Sequence, residues 1–141
     1  MLIALVGMAF AGGAYDVLKL RDGGSCLELG TGPAVRDELI ALAEGDVLPY
    51  VSIRAADCLV AGFSGDAVVV DAAARWVADP GLSGLGIVVA GSVDSFSVSD
   101  GVVLAQAALG GDDPGMRARM IRRFARSERI EVRKVVDGVK P

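Results

Sequence analysis

YVSIRAADCLVAGFSGDAVVVDA, residues 50–72, decides the fold that the sequence predicts. It divides into three short apolar runs, YVSIR, DCLVAGF and DAVVVDA, separated by Ala-Asp and Ser-Gly-Asp. Their β-branched and aromatic content fits buried or half-buried strands, and Ser-Gly-Asp fits a turn between two of them. The stretch therefore predicts three consecutive strands.

The flanking sequence extends the same reading. Residues 2–10 are apolar throughout, which suits a central strand with both faces covered. Residues 25–29 suit a return strand after the turn Arg21-Asp22-Gly23-Gly24. Toward the C-terminus, residues 86–90 and the alternating 95–99 add strands, 102–109 fits either period, and 129–136 alternates like a terminal strand or arm.

Helices are predicted in fewer places. Pro33 opens one, with Val35, Leu39, Leu42 and Ala43 at helical spacing and Gly45 as its stop. A short helix is expected over 72–77, and another over about 116–127, after the glycine- and aspartate-rich boundary at 110–115. The expected class is α+β: a single compact domain over 1–141, with a mainly β body, a C-terminal basic amphipathic helix and no internal repeat. A chain of 141 residues is long enough to bury roughly two-thirds of its unfolded surface, and 52% apolar against 23% charged residues excludes wholesale disorder.

Charge is distributed unevenly. Residues 1–115 carry 5 basic and 15 acidic side chains, whereas 116–141 carry 9 basic and 3 acidic ones, within a chain of net charge −4. The basic excess lies in GMRARMIRRFARSERIEVRKV, residues 115–135. At 100° per residue, Met116, Met120 and Phe124 form one stripe with Ile121 beside it, and Arg119, Arg122, Arg123 and Arg126 occupy most of the opposing arc. These four arginines are the candidate partner-binding residues. Guanidinium groups so arranged suit an acidic protein surface, a second copy of the chain, or a phosphate backbone. The acidic remainder and only seven aromatic residues weigh against nucleic acid, which needs attraction and stacking platforms.

Other chemistries have weaker signals. The absence of histidine removes His-based metal ligation and Ser-His or Cys-His catalysis. Gly30, Thr31 and Gly32 precede a helix, where free backbone donors could hold a phosphate, although turn formation explains the glycines equally. Gly7 to Gly13 follows an apolar run but matches neither GxGxxG nor a phosphate loop. Asp57, Asp66, Asp71, Asp94 and Asp100 are the candidate acids. Asp94 and Asp100 flank a serine-rich segment, yet their spacing matches no cation loop, and no metal site or cofactor is expected. Cys26 and Cys58 read as core thiols, bridged only if the fold brings them within reach. Trp76 reads as core cover.

The apolar opening contains the small-x-small Ala9-Phe10-Ala11 but no preceding positive charge, and it is short for a membrane span. A cytoplasmic protein without membrane contact is the expectation. The function expected is non-catalytic binding or assembly, as a homo-oligomer or with an acidic protein partner. The alternatives are a nucleic-acid-binding regulator and a small metal- or nucleotide-dependent enzyme.

Overall fold

The computed structural model describes residues 13–19 and 26–139. Eight α-helices account for most of them, and no strand occurs among the described residues. The chain divides into two compact units, Met1–Phe63 and Ser64–Pro141.

The first unit contains α1 (Ala14–Leu18), α2 (Pro33–Glu44) and α3 (Pro49–Phe63). A short connection turns α2 back onto α3, forming a helical hairpin whose shared core includes Leu39, Leu42, Val51, Ala55 and Leu59. Gly45 makes that turn sterically possible, because a Cβ there would lie 2.6 Å from the Ala41 carbonyl oxygen. Three polar contacts fasten α1 to the hairpin: the Ala14 N–H donates to Glu38, the Arg54 guanidinium to the Leu18 carbonyl and the Tyr50 hydroxyl to the Lys19 carbonyl. The last two satisfy carbonyls at the end of a helix too short to persist unaided.

The second unit contains α4 (Ala67–Trp76), α5 (Ser83–Gly91), α6 (Val98–Leu109), α7 (Pro114–Phe124) and α8 (Ile130–Val136). Helix α6 packs on α4, α7 and α8, while α5 packs on α4 and α7. Each helix buries one stripe: Val69, Val70, Ala73 and Trp76 on α4, and Leu104, Ala105 and Ala108 on α6. Two glycines permit close approach. A Cβ on Gly86 of α5 would lie 2.5 Å from the Trp76 carbonyl oxygen, and one on Gly101 of α6 would lie 3.0 Å from a Val132 methyl carbon.

This architecture overturns the α+β and α/β class and the mainly β body. The three predicted strands of residues 50–72 are α3 and the first half of α4. Val51, Ala55, Leu59 and Phe63 recur every four residues and are all buried, so Ala-Asp is helix interior and not a turn. Alanine's high helix propensity supports that reading. In Ser-Gly-Asp, Asp66 caps α4 by accepting the Val68 N–H at 2.9 Å. The valine run that follows is helical because packing on α5 and α6 outweighs the β preference of branched side chains.

Residues 86–90 and 129–136 are likewise helical, in α5 and around α8, and 95–99 contains the Ser97 cap of α6, which accepts the Asp100 N–H. Residues 26–28 form a 3-10 turn in place of the return strand, and residues 2–10 lie outside the described residues. Cys26 and Cys58 are not free thiols but a disulfide, with Cα atoms 5.3 Å apart. Among the described residues no helix is long and apolar enough to cross a membrane.

Two measurements check these assignments. Gly86→Ala should lower stability to denaturant by about 1–3 kcal/mol through overpacking against backbone. Gly91→Ala should cost nothing, since a Cβ at Gly91 meets no atom within 4 Å. Replacing both cysteines by serine should cost about 2–4 kcal/mol, because the bond closes a loop with a sequence separation of 32.

Candidate functional site

The basic face is built on α7. Asp113 caps it, accepting the Met116 N–H at 2.7 Å, and Pro114 occupies its first turn, where a missing N–H costs nothing. Burial of Met116, Met120, Ile121 and Phe124 against the unit's core fixes the helix's rotation. Arg119, Arg122 and Arg126 are consequently exposed, and Arg123 is half-buried. Arg122 and Arg123 fall in the last turn, where the helix dipole favours cations.

The arginines of this region divide into two sets. Arg117, Arg129 and Arg133 bind backbone: Arg117 donates to the Gly111 carbonyl at 2.6 Å, Arg133 to the Ser127 carbonyl at 2.7 Å, and Arg129 to the carbonyls of Phe96 and Asp94. They are structural clamps. The guanidinium groups of Arg119, Arg122, Arg123 and Arg126 make no hydrogen bond or ion pair with any described residue. No described carboxylate of the same unit forms an ion pair with them.

A polar latch fixes the elbow between α7 and α8. Ser127, the buried polar residue among those described, donates its hydroxyl to one Asp94 carboxylate oxygen and accepts the Arg129 N–H at 3.1 Å. The other Asp94 oxygen accepts the Glu128 N–H at 2.9 Å. Desolvation acts to raise the Asp94 pKa, but these hydrogen bonds and the charges of Arg129 and Arg133 outweigh it and hold the carboxyl below its ordinary value. Asp94 was a cation candidate in the sequence. Its partners lie some 33–35 residues downstream, a separation that no local pattern discloses.

Beside the latch lies a cleft of about 270 Å³, bordered by Arg123 and Arg126 on one side and by the end of α5, Ala90 and Gly91, on another. The remaining candidates do not converge. Gly30, Thr31 and Gly32 are exposed at the start of α2, and the cavity of about 140 Å³ beside Gly30 and Thr31 is lined by the disulfide, Leu39 and Phe63, with no basic side chain. Asp66 is a helix cap, Asp71 is exposed on α4 and Asp100 lies in the first turn of α6. Partial desolvation raises the Asp57 carboxyl above its ordinary value, and no group of three His, Cys, Asp or Glu among the described residues could hold a metal. Trp76 is fully buried.

No family model, curated protein or solved structure matches this chain.

The latch has a definite acid signature. Because the folded Asp94 pKa lies below the unfolded value of about 3.9, its stabilisation is complete above that value and is lost as pH falls through the lower folded one. Asp94→Asn should cost about 1–2 kcal/mol at pH 7. In urea titrations the gap between wild type and variant should close as pH falls below about 4.

Proposed function

We propose that this protein is a non-catalytic docking or assembly protein that seats the basic face of α7 on an acidic protein surface, either of a second copy or of another partner. The observation that carries this reading is the set of four guanidinium groups without a partner in the described chain, displayed on a helix whose rotation is fixed by its buried side.

Arg119 and Arg122 stand one turn apart on α7, and Arg126 follows two residues beyond its last residue, Phe124. A rigid row of like charges steers an acidic surface into register and accelerates encounter, with strong sensitivity to salt. Each exposed pair contributes only roughly 0–1 kcal/mol, so the row acts mainly on encounter and register. Holding the helix in place beforehand also reduces the ordering cost of association. The Cys26–Cys58 bond supports an oxidising compartment over the cytoplasm as the setting.

The same arginines favour a second reading, contact with a nucleic-acid backbone. It is weaker because the helix's single aromatic residue, Phe124, is fully buried and offers no stacking surface.

Charge reversal separates these readings. The triple variant Arg119→Glu, Arg122→Glu and Arg126→Glu should keep its circular dichroism and lose at least about tenfold in binding to poly-L-glutamate at low salt. Light scattering at low and high salt reports self-association of the same samples. Loss of helicity in the variant would assign the arginines to the fold instead. Tighter wild-type binding to a short DNA duplex than to poly-L-glutamate would put the nucleic-acid reading first.

A further inference from the structure

The four free arginines do not share one setting. Arg119 and Arg122 stand on the open arc of α7, whereas Arg123 and Arg126 border the cleft of about 270 Å³. That volume lies at or below the lower end of small-molecule pockets, which run from roughly 300 to 1,000 Å³. It suits a side chain better than a nucleotide.

The cleft's chemistry narrows the occupant. The Asp94 oxygens accept from Ser127 and from the Glu128 N–H, and neither Arg123 nor Arg126 pairs with them. Its negative charge nevertheless borders the same space and disfavours a dianion such as phosphate more than a monoanion. Guanidinium forks match the two oxygens of a carboxylate. Ala90 and Val93, both buried, supply apolar wall for the methylene groups that carry such a carboxylate. Gly91 also lines the cleft, and a Cβ there would meet no atom within 4 Å.

We propose that this cleft receives a glutamate or aspartate side chain from an acidic protein surface, with Arg123 and Arg126 as the clamp on its carboxylate. The assignment rests on the docking reading and adds the seat within it. Arg119 and Arg122 then steer the approaching surface, while the cleft holds one side chain in place. A residue that fills the cleft should impair docking with every arginine still present.

The test compares full-length wild type with Arg126→Gln, Arg122→Gln and Gly91→Leu for binding to poly-L-glutamate at one low ionic strength. Arg126→Gln and Arg122→Gln remove the same charge from exposed positions, and only the first borders the cleft. Arg126→Gln and Gly91→Leu should each bind about tenfold more weakly, and Arg122→Gln within about twofold of wild type. Equal losses for the two glutamine variants, with Gly91→Leu unaffected, would overturn the clamp while leaving docking through the basic face intact. No loss in any of these or in the triple charge reversal would overturn both. Thermal melts establish that Gly91→Leu is folded; if it is not, the comparison of Arg126→Gln with Arg122→Gln still decides. Inorganic phosphate that displaces poly-L-glutamate from wild type at lower concentration than acetate does would overturn the carboxylate assignment.

Discussion

Burial of Met116, Met120 and Phe124 against the neighbouring helices is the constraint on which the site depends. An isolated helix of this length would be marginal in water and free to rotate its charges in any direction. Once those three side chains enter the core, 3.6-residue periodicity leaves little choice: the intervening arginines must face outward or along the rim. The outward display of the arginines is thus set by the buried residues between them.

The polar latch performs a complementary task. A chain leaving α7 exposes the last carbonyls of that helix and must also start α8 after a short connection. The backbone N–H groups of Ala125, Arg126 and Ser127 return to carbonyls of α7, Asp94 and Ser127 accept the Glu128 and Arg129 N–H groups ahead of α8, and Arg129 and Arg133 donate to the carbonyls of Phe96, Asp94 and Ser127. Arginine therefore has two roles within one stretch of chain. Where a backbone acceptor lies within reach it becomes scaffold, and where none does it stays available.

The legibility of the sequence was correspondingly uneven. Proline and glycine punctuation located the helices that open at Pro33 and Pro114, and 100° periodicity separated the outward arginines from the buried stripe of α7. The body was misread because runs such as AVVVD satisfy a strand's composition and a helix's spacing equally over four or five residues. Only by carrying the spacing across Ala55-Ala56-Asp57 does the i, i+4 row from Val51 to Phe63 emerge. Asp66 carried a further ambiguity, since the same side chain that ends a turn can begin a helix. The cleft and the latch were out of reach for another reason. Both join residues near 90–96 with residues near 123–129, and a single sequence records no such pairing.

The packing order of the second unit has a kinetic side. Its principal packing partners are one or two helices apart along the chain, so little loop entropy has to be spent before each contact forms. Such local wiring places a domain among fast folders, typically on microsecond to millisecond timescales. It also implies that α8, seven residues packed on α6 and α7, opens more readily than the twelve-residue α6, which packs on three helices. Amide protons should therefore exchange along a gradient, slowest in the middle of the stack and fastest toward the C-terminal end.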